Sequence, residues 1–297
     1  VHPLVLGAMG GAGLATGLYL GWREGLGRPP ADLPAVLAYH KIGTPELGGT
    51  WCTRRQFAAH LDGLQRAGFT ALDLAAFEAR VAACRGLALG ADAAAAAAGR
   101  EILVTFDDGF ASFAAHAWPE LQARRMPVVL FVVSEFVGRT SSWDLPLAGR
   151  RVAHLDWPEL RRLVHAGVVV GSHAATHRDL RRLTAAELAR ELRGSRQRLE
   201  DELGVAVHAV SYPFGRQDAR VCAAAAAAGY RLGFSMCPRG PNARVDRLAL
   251  RRWGVYAVDG RRAVLDKVDA RRRGFWVQDV ATRLINACAG LAASRRR

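Results

Sequence analysis

Short apolar runs alternate along the chain with longer segments in which apolar residues recur every three or four positions. The runs cover residues 36–39, 69–72, 102–106, 128–133, 168–170, 206–212 and 230–234. Each reads as an apolar, strand-like run. The segments between them have helical period. Over 55–67, Phe57, Leu61 and Leu64 share one face; 185–203 opens on Thr184 and Glu187, spaced as a capping box. Strand and helix alternating in this way predict parallel strands joined by crossover helices. Seven strand-like runs predict a closed or nearly closed β/α barrel rather than an open sheet. In such a barrel the chemistry sits where strands end and loops begin.

The flanks read differently. Residues 4–20 carry no charge and are long enough to span a thin bilayer. Gly13, Gly17 and Gly21 form a ladder that lets two membrane helices approach closely, which would support a helix-mediated dimer. No small-x-small cleavage site follows, so an uncleaved N-terminal anchor is expected. Residues 27–34 read as a linker, with Pro29, Pro30 and Pro34 blocking helix. An Ala-Gly-rich insertion over 84–99 precedes the third strand. After Asp246 the alternation fades. Arg271 to Arg273 then introduce Phe275, Trp276, Val280, Leu284, Ile285 and Leu291, a basic amphipathic helix that fits either packing on the barrel or lying on a membrane surface. The division is an anchor and linker at 1–30, the barrel at 31–260 and the basic helix at 261–297.

Composition changes this picture little. The chain has 297 residues, 51% hydrophobic and 23% charged, which excludes global disorder. A multi-span membrane protein is also excluded, because only residues 4–20 approach spanning length. Basic residues outnumber acidic ones by 41 to 27, for a net charge of +14, and Lys41 and Lys267 are the only lysines. This charge favours anionic partners, but it is spread through helices rather than gathered in a recognition motif, so no specific nucleic-acid partner is expected. Cys52, Cys84, Cys222, Cys237 and Cys288 are odd in number and contain no C-x-x-C pair, which points to neither a zinc ribbon nor a disulfide framework.

Three polar clusters follow apolar runs. Thr105-Phe106-Asp107-Asp108-Gly109 puts two carboxylates at the exit of a buried strand, where they need a cation or a proton between them. Gly109 permits a sharp turn. Gly171-Ser172-His173-Ala174-Ala175-Thr176-His177 holds two histidines at i and i+4, a spacing that on a helical turn would put both on one metal. Ser211-Tyr212-Pro213-Phe214-Gly215 suggests the wall of a groove. Two His and one Asp make a facial ligand set with open positions, and the other Asp is left to act as a base. Trp143-Asp144, in the loop after the fourth run, could stack on and bind a sugar or simply plug the barrel rim.

These motifs, in this order and over residues 36–234, resemble the polysaccharide deacetylases of NodB homology, carbohydrate esterase family four. The resemblance implies a distorted (β/α)7 barrel. It implies Asp107 as catalytic base and Asp108, His173 and His177 as ligands of one divalent metal, Zn2+ first, with Co2+ or Ni2+ as alternatives. Tyr212, Pro213 and Phe214, with Trp143, are the expected substrate-binding residues. Two features depart from the common pattern. The C-terminal Leu-x-x-His motif that supplies a general acid is missing, since no histidine follows Tyr212. Instead, Tyr39-His40 resembles the motif of the permuted branch acting on poly-N-acetylglucosamine, which makes His40 the candidate acid. The arginine often found before the third motif's proline is also missing; Arg216 and Arg251 are the substitutes considered.

The implied activity is metal-dependent removal of N-acetyl groups from an N-acetylhexosamine-containing polysaccharide or glycan. An O-acetyl esterase, a small-molecule amidase and a silent glycan-binding protein are the alternatives. Such a substrate favours a membrane-anchored domain outside the cytoplasm, in the cell envelope. Arg23 and Arg28, after the apolar segment, lean the other way.

Overall fold

The computed structural model describes residues 33–43, 49–84, 100–141, 151–236, 246–269, 271–282 and 285. The expected anchor at 4–20, most of the linker and of the Ala-Gly insertion, Trp143, Asp144, Cys237, Cys288 and the C-terminal arginines lie outside them. Among the described residues no helix is long and apolar enough to cross a membrane, and Cys52 and Cys222 are free thiols.

The strands expected from the apolar runs form a parallel sheet: β1 (Ala35–Tyr39), β5 (Glu101–Phe106), β6 (Val129–Val132), β7 (Val169–Ser172), β8 (Ala209–Ser211) and β9 (Leu232–Ser235). The run at 69–72 yields only β4 (Thr70–Ala71), which pairs with the start of β5 beside the main path. Four two-residue strands carry too little pattern to be seen in sequence: β2 (Lys41–Ile42), β3 (Trp51–Cys52), β10 (Leu250–Arg251) and β11 (Trp253–Gly254). The last two close the fold. The sheet runs β10-β9-β8-β7-β6-β5-β1-β11, so its two edges are consecutive in sequence and separated only by Arg252. Six strands and this joined segment make the seven staves of the expected distorted barrel.

Period two along the staves separates two cores. Val36, Leu103, Val129, Phe131, Ala209, Leu232, Phe234 and Leu250 fill the barrel, with Leu74, Phe77 and Val81 of α2 (Leu74–Cys84) packed against them. Leu37, Tyr39, Ile102, Val104, Leu130 and Val170 face outward onto the helices. Gly171 faces inward, where a Cβ would stand 2.5 Å from the Phe131 ring, so the missing side chain makes room for that ring.

The helices also follow from the sequence. α1 (Arg54–Arg66) starts at a Thr53–Gln56 capping box and buries Phe57, Leu61 and Leu64, each contributing roughly 1.5–3 kcal/mol. α3 (Trp118–Ala123) and α4 (Trp157–His165) follow β5 and β6. The expected helix at 185–203 forms behind its Thr184–Glu187 box, but in three parts: α5 (Ala185–Ala189), a π-helical turn (Arg190–Gly194) and α6 (Ser195–Leu203). α7 (Ala219–Ala227) crosses from β8 to β9. In the C-terminal region α8 (Arg261–Val268) lies against α1, and Lys267 donates to the Gly254 carbonyl and to Asp259. Phe275 packs on Trp253 at a ring distance of 5.2 Å. This described part of the basic segment therefore packs on the barrel, while Trp276 and Val277 remain exposed.

Candidate active site

Strand alternation carries the inward face past the last ladder pairs. Ala38 pairs with Thr105 and Tyr39 with Phe106, so His40 and Asp107, one residue on, emerge side by side. His40 Nε2 lies 3.9 Å from Asp107 Oδ2. The Tyr-His pair is split by the same alternation: the Tyr39 hydroxyl donates outward to His60 Nδ1 at 3.3 Å, while His40 faces the site. By continuing alternation Asp108 would point away from the site. It instead adopts φ +71°, followed by Gly109 at +71°, and this left-handed step turns both aspartates to one face.

The two histidines do not lie on a helical turn, contrary to the reading from their spacing. His173 ends the inward face of β7, and a loop with Ala174 at φ +62° and His177 at φ +61° brings the second imidazole back. Spacing alone cannot distinguish a helix from such a loop, because both bring i and i+4 together. His177 Nε2 is 3.3 Å and His173 Nε2 3.5 Å from Asp108 Oδ1. One donor atom from each of Asp108, His173 and His177 lies within 4.8 Å of the others, and all three residues are buried.

This group fits a divalent cation by its donor chemistry. His173 donates from Nδ1 to the Ser211 carbonyl at 2.7 Å. That bond fixes the tautomer and leaves the Nε2 lone pair aimed at Asp108. Burial holds both imidazoles below the ordinary histidine range, well below it for His177, so they stand as neutral ligands at neutral pH. The His154 ring donates from Nδ1 to the Asp108 carbonyl at 2.9 Å and steadies the turn.

Asp107 is held differently. Arg252 donates to both its oxygens, at 2.7 and 2.6 Å, and the same guanidinium donates to Thr105 Oγ1 and Ser211 Oγ. The Ser211 hydroxyl donates to Asp107 Oδ2 at 3.2 Å. Burial pushes the Asp107 carboxyl up, but the Arg252 charge, then His173 and the Arg252 hydrogen bonds, outweigh it and hold the group well below the usual carboxylate range. His40 is taken the other way: burial lowers it to about 4, against the pull of Asp107. It is therefore neutral at pH 7.

Arg252 corrects the reading of the arginines. Arg216 pairs with Asp179 at 3.2 Å, and Arg251 points outward to Asp279 and over the Trp253 ring. A signal was present in the alternation Leu250, Arg252, Gly254, which puts Arg252 on the face of the buried Leu250. In the third motif, Tyr212 is fully buried and its hydroxyl donates to the Leu248 carbonyl at 2.8 Å; Pro213 is buried too. Phe214, at φ +59° and 40% exposed, alone presents its ring, 4.8 Å from that of His177. Of the expected substrate-binding side chains among the described residues, Phe214 thus reaches the open face, while Tyr212 supports the loop from inside.

Comparison with known proteins agrees with this fold. Residues 94–233 match the profile of the family described as polysaccharide deacetylase. The Bacillus subtilis (strain 168) protein YxkH, named as a polysaccharide deacetylase, is 25% identical over 209 residues, which are 70% of this chain and 66% of that relative's length. Among solved structures, the Streptococcus pyogenes deacetylase PplD superposes with a TM-score of 0.66 at 20% identity, over 81% of this chain and all of that one. IcaB from Ammonifex degensii does so with a TM-score of 0.60 at 22% identity, over 86% and 97% of the two chains. These likenesses establish the NodB-type barrel. The buried Asp-His-His group lies inside the stretch 94–233 that matches the polysaccharide deacetylase profile.

Proposed function

We propose that the protein is a metal-dependent deacetylase that removes N-acetyl groups from an N-acetylhexosamine-containing polysaccharide or glycan. The carrying observation is the convergence of Asp108, His173 and His177 on one buried point beside the ionised Asp107 and facing His40. A divalent ion held by the three ligands, Zn2+ first among those that suit this donor set, supplies a Lewis acid for the acetyl carbonyl and acidifies the attacking water. Asp107 receives the proton that the water loses as its oxygen joins the carbonyl carbon. With its pKa depressed by Arg252, Asp107 keeps that proton poorly. His40, 3.9 Å away and with the higher pKa, is the favourable next holder. From His40 the proton goes to the nitrogen as the C–N bond breaks, leaving acetate and a free amine. His40 is thus the general acid, charged during turnover rather than at rest. The exposed Phe214 ring offers a stacking face for a sugar.

The position of His40 at the end of β1, next to Asp107, supports the poly-N-acetylglucosamine class in particular. The same reading keeps the domain outside the cytoplasm, tethered through residues 4–20; digestion of the domain by protease added to intact cells is the expected result, and full protection would reverse it. Acetate release from a chitin oligomer and from O-acetylated xylan, beside metal content, tests the activity. Metal-dependent release from the chitin oligomer is expected. Release from the ester alone would make the protein an esterase, and a metal-loaded chain releasing nothing from either would make it a glycan-binding protein.

A further inference from the structure

Six carboxylates among the described residues are buried: Asp107, Asp108, Glu191, Asp259, Asp266 and Asp279. Four of them meet a cation, in the pairs Asp107–Arg252, Asp259–Lys267, Asp266–Arg272 and Asp279–Arg251. Asp108 belongs to the Asp-His-His group. Glu191 is the remaining one, and what it meets is the loop that carries His177. Glu191 Oε2 accepts from the backbone N–H of Ala175 and of Thr176, both at 2.9 Å, and Oε1 accepts from the Thr176 hydroxyl.

We propose that Glu191 is a positioning residue for His177, clamping the two peptide N–H groups that precede this ligand so that its imidazole stays on the point shared with Asp108 and His173. The inference rests on the reading of these three residues as metal ligands.

Three observations carry it. First, the loop needs a clamp. Ala174 and His177 both hold left-handed backbone without being glycine, a conformation that persists only where the surroundings over-determine it. Glu191 supplies part of that determination from one side. Ser134 and Glu135 supply part from the other, donating their N–H groups to the Ala174 and Ala175 carbonyls at 3.3 and 3.0 Å. Ser172 accepts from the Ala174 N–H and shares a 2.8 Å hydrogen bond with Ser195, one helical step from Glu191.

Second, the chemistry suits a carboxylate in particular. Three donors converge on it, and a carboxylate is acceptor-only. A glutamine of the same size keeps one carbonyl oxygen for the two peptide N–H groups and turns its NH2 toward the Thr176 hydroxyl, whose proton then loses its acceptor. If the side chain merely held the helix to the barrel, an apolar residue would do so without the cost of burying a charge. Third, Glu191 lies in the π-helical turn Arg190–Gly194, an irregularity that occurs mostly as a single turn and often at functional sites.

The test uses the full chain loaded with CoCl2, whose visible absorption bands report the ligand geometry. Co2+ affinity is measured by competition with a chromophoric chelator, and folding by circular dichroism and cooperative unfolding. E191Q is expected to fold, to bind Co2+ at least ~10-fold more weakly, the usual effect of losing a group that orients a ligand, and to show displaced or weakened visible bands. T176V, which removes one donor of the three, is expected to change both in the same direction by less. If E191Q fails to fold, T176V carries the test alone. A folded E191Q, or in its absence a folded T176V, with native Co2+ affinity and native bands would overturn the proposal, whatever its melting temperature. Failure of the native chain to bind Co2+ would be recognisably different: it would overturn the metal-site reading and this inference with it.

Discussion

The guanidinium of Arg252 grips both carboxylate oxygens of Asp107 from the single residue that separates β10 from β11. The residue that closes the barrel therefore also sets the charge of the proposed base. Arg252 has no exposed surface, and Phe131 and Phe234 lie against it at 5.5 and 6.0 Å. Arg252→Met keeps the volume and strands a buried carboxylate. The expected loss is about 3–5 kcal/mol in urea unfolding, the range for breaking a buried pair from one side. Adding Asp107→Asn to Arg252→Met should restore much of that loss, because no buried charge is then left over. If the double variant is as unstable as the sum of the two single ones, the pair is not coupled as described.

His40 makes a prediction about pH. Its pKa is about 4 in the folded chain and near the ordinary histidine value when unfolded. Between those values the unfolded chain binds more protons, so the stability of the metal-free protein should rise with pH from about 4 to about 6.5. Other buried histidines add to this rise. The share of His40, up to about 1.4 kcal/mol per pH unit, is the part of the slope that His40→Gln removes. In turnover, His40→Ala should slow release from an N-acetyl substrate by ~10²-fold or more while slowing an ester with a good leaving group much less. Equal losses on both substrates would assign His40 to structure or binding.

Much of the barrel was legible because its buried parallel strands stand out as short, mostly apolar runs between segments of helical period. The closing strands were not, since Leu250–Arg251 and Trp253–Gly254 have two residues each and hold an arginine between them. An arginine inside a barrel contradicts the hydrophobic pattern by which strands are recognised, and only its partner, Asp107, explains it. The first motif was legible as a pair of carboxylates at a strand exit, although the left-handed step at Asp108 that aims both at one face leaves no trace in residue type. For the histidine pair, spacing conveyed proximity but not the loop that produces it. Glu191 drew no reading of its own, because nothing in the segment 185–203 sets it apart from the other acidic residues there.

Gly171 provides a test of packing in the barrel interior that is read as stability rather than activity. An added methyl would meet Phe131 Cδ1 and Cε1 at 2.5 Å and the Ala209 carbonyl at 3.1 Å. Phe131 is fully buried, so it has nowhere to move without displacing its neighbours. Gly171→Ala should cost about 1–3 kcal/mol, as overpacking does, and lower the thermal midpoint accordingly. A second change, Phe131→Leu, should recover part of the loss by giving the methyl room. Additive losses would show that the close approach is not as the structure has it.

The neighbouring aspartates should separate in their response to the same change. Asp108 lies within reach of His173 and His177, so Asp108→Asn removes the one negative ligand of the set. Metal content by elemental analysis should fall together with acetate release. Asp107 is turned instead toward Arg252, Ser211 and His40. Asp107→Asn leaves the three ligands in place, so the metal should remain bound at native stoichiometry. Turnover should nevertheless collapse, because an amide cannot take up the proton that water gives away at neutral pH. The Asn variant also leaves the Arg252 guanidinium buried without its counter-charge, so part of any loss could come from stability. Measuring release well below the variant's own melting temperature removes that contribution. A metal-free Asp107→Asn protein beside a fully metallated Asp108→Asn protein would exchange the two roles.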